Sequence, residues 1–316
     1  MNSQHIDLVG LGLNATDTLI SVSQFPTPDS KTTVRSLTVQ PGGQVATAVI
    51  ACQRWGIRTR YIGKLGGDSA GAVHQKAFAE AGVETHITTV PNCSSAQSHI
   101  LVDDRGERTV LWHRDERLAI APAELKRAWI VNARALLVDG CDTAAATQAA
   151  KWAREAQVPV IADLDAVYPN LEPLLESVDY LIVSRDFPGR ISGKADLRES
   201  LVWLQGRFRS RLAAATLGTD GVLAWDGNQF YYSAAYRVDV VDTTGAGDIF
   251  RAGFIYGLLQ NWPLQRSVDF ACAAAALNCT ASGARGGIQT VDNIEKVVQN
   301  SQQYRAAYDT AGPNNS

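Results

Sequence analysis

The chain has 316 residues, 46% of them hydrophobic, enough to bury the core of one large α/β domain or two ordinary ones. Lys and Arg number 29 against 32 Asp and Glu, a formal charge of −3 that argues against a nucleic-acid or membrane-surface protein. Five cysteines without a CxxC pair argue against a disulfide framework or a zinc site, and no apolar run reaches membrane-spanning length.

The polar stretch Met1–His5 runs straight into apolar residues without the charged-then-apolar pattern of a signal peptide, so the expected location is cytoplasmic. Ile6–Leu13 reads as a buried strand ending in glycines. Thr18–Val22 and Lys31–Val39 alternate polar and apolar residues and read as short strands split by the turn Pro26-Thr27-Pro28-Asp29. Gly42-Gly43 opens a helix to about Trp55, with Val45, Val49, Cys52 and Trp55 as its apolar stripe. Arg60–Leu65 is a strand, and Gly71–Ala81 is a helix ended by Gly82 in the left-handed cap position.

Ser98–Val102 and Thr109–Trp112 alternate and are joined by the polar turn Asp103-Asp104-Arg105-Gly106, a hairpin signal. Strands and helices then alternate: Ala135–Val138, helix 143–156, Val158–Asp163, Tyr180–Val183, helix 195–209 and Leu212–Leu217, followed by helices near 247–260 and 264–281. That alternation implies βαβ units and a parallel sheet covered by helices on both faces. The expected division is an α/β core of residues 1–13, 41–95 and 119–309, a β lid of residues 14–40 and 96–118, and a disordered tail at 310–316.

The strongest chemical signal is Val240-Val241-Asp242-Thr243-Thr244-Gly245-Ala246-Gly247-Asp248, a strand end, a glycine-punctuated turn and a helix start. Several backbone N–H groups at the helix start would converge, with no side chains in the way, as an anion hole at the positive end of the helix dipole. Asp248, in the first helical turn beside it, is placed to take a proton from a substrate hydroxyl while the amides neutralise a moving phosphoryl group. Arg251, one turn further, is within reach of the same pocket. Lys31 could contact an anionic or hydroxyl-rich substrate or be a solvated edge lysine. Trp112 could stack on a sugar face and Arg114 pair with a phosphate, or both could serve a lid contact between two copies.

The segment Asp242–Asp248 resembles the C-terminal signature of the PfkB, or ribokinase-like, carbohydrate kinases. Gly12 to Asp17, Gly42-Gly43, Ile62–Asp68 with Gly71, Thr216–Gly221 and Gly283–Gly287 extend the resemblance over nearly the whole chain. It implies a three-layer α/β/α sandwich with a mostly parallel central sheet and a small β-strand lid. It further implies Asp248 as catalytic base, Gly245 to Gly247 as anion hole, and Asp17, Gly42 and Gly43 as ligands of sugar hydroxyls. Thr216, Gly218 and Gly221 would line the nucleotide site, with Asn278 to Gly283 beside the adenine. ATP and Mg2+ follow as cofactors, and K+ held by carbonyls near Asp242 and Thr244 and near the late glycine segment is a further expectation.

The chain departs from the pattern at three places. Thr47 stands where the family carries an asparagine; it keeps a hydrogen-bonding group for substrate on a shorter side chain. The family's Asn-x-x-Glu motif, tied to phosphate and magnesium, falls at Ser184-Arg185-Asp186-Phe187, leaving Ser184 for ATP and Asp186, or Asp163 and Asp165, for the metal. Arg251 is the third. Gly106–Arg108, Asp239–Asp242 and Ala276–Thr280 look most like the sulfofructose kinase branch, but Trp112 and Cys141 replace the residues matched to its sulfonate contacts. The expected activity is therefore transfer of the γ-phosphoryl group of ATP to a hydroxyl of a small sugar, a ketose or related monosaccharide, by a homodimer joined through its lids. A nucleoside, sugar-acid or sugar-phosphate kinase of the same fold, and a non-catalytic sugar or nucleotide sensor, are the alternatives.

Overall fold

A computed structural model of the chain describes residues 5–105, 107–304 and 308. The tail expected at 310–316 and Gly106 of the hairpin turn lie outside the described residues. In chain order the first half comprises β1 (Ile6–Leu11), β2 (Ala15–Ser21), β3 (Ser36–Gly42), α1 (Gln44–Arg54), β4 (Thr59–Gly66), α2 (Ser69–Ala81), β5 (Glu84–Val90), β6 (Gln97–Val102), β7 (Arg108–His113), β8 (Ala133–Asp139) and α3 (Thr143–Glu155). Next come β9 (Val160–Leu164), α4 (Glu172–Leu175), β10 (Tyr180–Ser184), α5 (Phe187–Ser192), α6 (Leu197–Phe208), β11 (Leu212–Thr216), β12 (Val222–Trp225), β13 (Phe230–Ser233), α7 (Ala246–Leu259), α8 (Leu264–Asn278) and α9 (Val291–Asn300).

Nine strands form one sheet in the order β13-β12-β11-β10-β9-β8-β1-β4-β5. From β11 to β5 every pairing is parallel, and β12 and β13 close one edge as an antiparallel hairpin. The inner strands are continuous apolar runs such as Leu136-Leu137-Val138 and Leu181-Ile182-Val183, as a sheet buried on both faces requires. One apolar layer joins Val45, Val49, Phe254 and Phe270 from α1, α7 and α8; the other joins Ala149, Phe187, Leu201 and Leu204 from α3, α5 and α6. The result is the expected three-layer sandwich. No helix among the described residues is long and apolar enough to cross a membrane.

The second sheet has the order β3-β2-β6-β7. Its central pair, β2 and β6, runs parallel, flanked by antiparallel partners. Cross-strand register puts Gln40, Asp17, Ser98 and Trp112 in one row on one face. Val39, Thr18, His99 and Leu111 form the adjoining row on the opposite face. The strand expected from Lys31 begins only at Ser36, after the loop in which Asp29 takes a positive φ of 58°. Lys31 is exposed in that loop.

Candidate active site

The C-terminal ends of the parallel strands meet the N-terminus of α7, where open α/β sheets bind ligands. Gly245 caps α7 in the left-handed region (φ 76°), and a side chain there would run into the backbone of Ala284. The Ala246 N–H donates to the Thr243 carbonyl at 3.2 Å, so it is spent on the turn. The N–H groups of Gly245, Gly247 and Asp248 have no backbone partner among the described residues. This corrects the expected trio: the open amides belong to Gly245, Gly247 and Asp248 rather than to Gly245–Gly247.

Asp248, in the first turn of α7, is partly exposed. Loss of hydration pushes its carboxyl well above the usual carboxylate range, the charges of Asp163 and Asp17 push the same way, and Arg251 and Arg285 oppose them. Asp17, on β2, is buried, and that burial pushes its carboxyl up to about 6 against a hydrogen bond from Ser98 and the charge of Arg285. Gly42 sits so close that a methyl group on it would collide with the Asp17 carboxylate. Gly43, with φ 86°, is the N-cap of α1. Trp112 shares the face of Asp17 two strands away and is half-exposed.

Three expected contacts are placed differently. Arg251 does not reach the acceptor side as a free cation: its Nη2 lies 2.9 Å from Asp163 Oδ1 on β9, both side chains buried, with Nη1 packed beside Gly247. Arg114 is likewise spent, its Nη2 donating to both oxygens of Asp142 at 2.9 and 2.8 Å and to the Leu118 carbonyl at 3.1 Å. Thr47 is fully buried, and its hydroxyl accepts from Arg285 Nε at 3.2 Å. Arg285 is the residue that sequence reasoning missed. Its Nη2 donates to the Gly42 carbonyl at 2.8 Å, its Nη1 is buried without a partner, and burial brings its guanidinium down to about 10. The shortness of Thr47 was the available signal: where the longer asparagine is absent, an arginine 238 positions later fills the space.

On the other side of α7 a cleft of ≈ 360 Å³ is lined by Thr216, Gly218 and Gly221, by Ala246 and Gly247, and by Val238, Val240 and Phe250. Gly218 and Gly221 have φ of 63° and 85° and turn the chain between β11 and β12. Asn278 and Gly283 do not line this cleft. Asn278 is fully buried, its Nδ2 donating to the carbonyls of Thr244 (3.3 Å) and Ala284 (3.1 Å). The Gly283 N–H donates to Asp242 Oδ2 at 2.8 Å, while Asp242 Oδ1 accepts from the Thr244 N–H (2.9 Å) and hydroxyl (2.7 Å). These residues staple the two glycine loops together, and the cleft wall comes from Cys272, Ala275, Ala276 and Cys279 instead.

The segment Ser184–Phe187 carries no acidic cage. The Ser184 hydroxyl donates to the Asp165 carbonyl at 2.9 Å, Phe187 is in the core, and Asp186 is an exposed N-cap residue without a side-chain cap bond. Asp163 is paired to Arg251, and Asp165 accepts from the Tyr168 hydroxyl at 2.5 Å. Among the described residues no group of three or more His, Cys, Asp or Glu converges as a metal site.

A three-layer sandwich with a small second sheet, a cleft lined by Gly218, Gly221 and Gly247, and a carboxylate in the first turn of a helix is the arrangement found in small-molecule kinases. The sequence profile of the pfkB family carbohydrate kinases matches residues 6–291, and the chain belongs to that family. It is 30% identical over 274 residues, 85% of this chain and 90% of the relative, to the ATP-dependent ribose-1-phosphate kinase of Halopiger xanaduensis. It is 25% identical to the 5-dehydro-2-deoxygluconokinase of Geobacillus thermodenitrificans over 93% of both chains. The fold matches the crystal structure of a ribokinase from Thermotoga maritima with a TM-score of 0.83 at 21% identity, covering 93% of this chain and 100% of that one. The protein is thus an enzyme, a phosphotransferase with an alcohol group as acceptor.

Proposed function

We propose that this enzyme transfers the γ-phosphoryl group of ATP to a hydroxyl of a monosaccharide, with Asp248 as the general base. The observation that carries the reading is the position of Asp248. Its neighbour Gly247 lines the ≈ 360 Å³ cleft, while the negative charge of Asp17, on the small sheet, helps raise its carboxyl above the usual carboxylate range. A nucleotide in the cleft would present its terminal phosphate to the open amides of Gly245, Gly247 and Asp248. A sugar held by Asp17 and the backbone at Gly42 and Gly43 would align a hydroxyl with that phosphate. Asp248 takes the hydroxyl proton as the oxygen attacks, and the amides meet the charge of the transferring group. Beside the catalytic turn, the Arg251–Asp163 pair keeps a fixed positive charge against Gly247.

The name of the Halopiger relative supports ATP as donor. The residues of Ser184–Phe187 do not fit a protein-built magnesium cage, which accords with an ion carried by the nucleotide phosphates and water. A monovalent cation would lie against the carbonyls near Thr244 and Ala284 that Asn278 already ties together. The small sheet serves as a lid, with Trp112 positioned to cover the sugar. Its opposite face carries exposed Leu37, Val39 and Leu111, which suits contact with a second copy.

A second reading has one observation in its favour. Arg285 Nη1 is a buried donor without a partner beside Gly42, which suits an acceptor carrying a carboxylate or phosphate, as the names of the two curated relatives describe for those proteins. Arg251 and Arg114, being paired, no longer argue for it. The deciding experiment is ATP consumption across neutral sugars, nucleosides, sugar acids and sugar phosphates, with Asp248→Asn alongside. Asp248→Asn should cut turnover at least ~10²-fold on the best acceptor. Full activity in that variant would remove Asp248 from the role of base.

A further inference from the structure

Residues 301–304, which follow α9, cross back over the sheet edge. The Tyr304 N–H donates to the Ala235 carbonyl at 2.8 Å, and the Arg237 N–H donates to the Gln302 carbonyl at 2.9 Å. Gln303 pairs with Tyr236 as an isolated bridge, and its Nε2 donates to Ser233 Oγ (3.2 Å) and to the Ala234 carbonyl (3.0 Å). A segment near a chain end is ordinarily loose unless something ties it down, and here backbone and side chain both do so.

What the strap holds in place is an aromatic ring at the cleft. Tyr304 lines the same cleft as Gly218, Gly221 and Gly247, yet remains 38% exposed. The Arg237 guanidinium lies 5.4 Å from its ring centroid. One face of the ring is therefore backed by a cation, and among the described residues the remaining ring surface stays partly exposed beside a wall of alanine, valine and cysteine side chains. A planar, apolar-faced group is what such a slot accepts.

We infer that Tyr304 is a stacking platform for the base of the bound nucleotide, delivered by the C-terminal strap and backed by Arg237. This rests on the reading that the cleft holds the nucleotide. The base lies against the Tyr304 ring, while the phosphates extend toward Gly247 and the helix N-terminus. Because stacking uses the π-face and the larger ring overlaps more, the platform favours purine over pyrimidine nucleotides.

Calorimetric titration of the full chain with ADP, CDP and inorganic tripolyphosphate tests this, using Tyr304→Ala and Tyr304→Phe. Tyr304→Ala should weaken ADP binding about 5- to 100-fold, the range for loss of one base–aromatic stack, and narrow the preference for ADP over CDP. Tyr304→Phe should stay within about twofold of the parent, because it keeps the ring. Tripolyphosphate, which has no base, should bind both variants as it binds the parent. Unchanged ADP affinity in Tyr304→Ala would overturn the inference. So would an equal loss for ADP and tripolyphosphate, since the strap would then only support the cleft. A parent protein that binds no ADP would overturn the nucleotide reading itself, and this inference with it.

Discussion

Arg251 and Asp163 form a buried ion pair, Nη2 to Oδ1 at 2.9 Å, between the first turns of α7 and the end of β9. Breaking a buried pair by removing one partner leaves an uncompensated charge and costs about 3–5 kcal/mol. Arg251→Met should therefore lose about that much stability at about pH 8. Burial already pushes the Asp163 carboxyl up to about 6, above its unfolded value, so the folded state holds this proton more tightly than the unfolded chain. The cost of an ionised Asp163 thus grows as pH rises through about 6 and fades on acidification. Urea unfolding of Arg251→Met at about pH 5 and about pH 8 should show the smaller loss at the lower pH; an equal loss would mean that packing, not charge, is what the variant removes.

The acceptor side gives a pH dependence of activity with the opposite sign. In the proposed role as a ligand of sugar hydroxyls Asp17 works best as a carboxylate, and burial has pushed it up to about 6. The Asp248 carboxyl is displaced upward as well, first by burial and then by the charges of Asp163 and Asp17. Since the base must be ionised to take a proton, kcat/KM for the acceptor should rise with pH through about 6 and beyond. A profile flat down to about pH 4, the ordinary carboxylate range, would remove both groups from the rate-determining ionisations.

Arg285 bonds Thr47 and Gly42 from the late glycine segment, more than two hundred positions away in sequence. Each hydrogen bond from a charged donor is worth about 1.5–3 kcal/mol. Arg285→Met should raise the KM for the acceptor about tenfold or more. Loss of its positive charge should also move the acidic limb of the pH profile upward, because Arg285 lowers both Asp17 and Asp248. An unmoved limb with a raised KM would leave Arg285 a purely mechanical anchor.

Leu37, Val39 and Leu111 are exposed on the face of the small sheet turned away from Asp17. Leu111→Glu, which places a charge on that face at the edge strand β7, should convert a dimer joined through this sheet into a monomer by light scattering while leaving the fold intact. A parent protein that is already monomeric would remove the lid contact.

The sandwich and the small second sheet were legible because their signals are periodic and local: continuous apolar runs at 135–138 and 180–183, alternation at 98–102 and 109–112, and glycine breaks at Gly82 and Gly245. What escaped the sequence is instructive. β5, with Glu84, Thr85, Thr88 and Thr89, is too polar to announce an edge strand, and the hairpin β12–β13 adds antiparallel strands to a pattern that otherwise reads as parallel. At the site, Asp248 and the glycine turn could be located because their chemistry is carried by contiguous residues. The fates of Arg251, Arg114 and Arg285 could not, since each is decided by a partner 28 or more positions away: Asp163, Asp142 and Thr47. Nothing local distinguishes an arginine offered to substrate from one already satisfied within the protein.

The parallel pairing of β2 with β6 also governs the order in which the molecule assembles. Parallel neighbours cannot be joined by a tight turn, and here β3, α1, β4, α2 and β5 intervene between them. The hairpin β6–β7 can form early, but it has no parallel partner until the β1–β4–β5 side of the large sheet has brought β2 alongside. With most of β3 and Val110, Leu111 and Trp112 of β7 exposed, the small sheet is expected to open locally before the buried strands of the large one. Its amide hydrogens should exchange well before those of β8 to β11 in the same native protein.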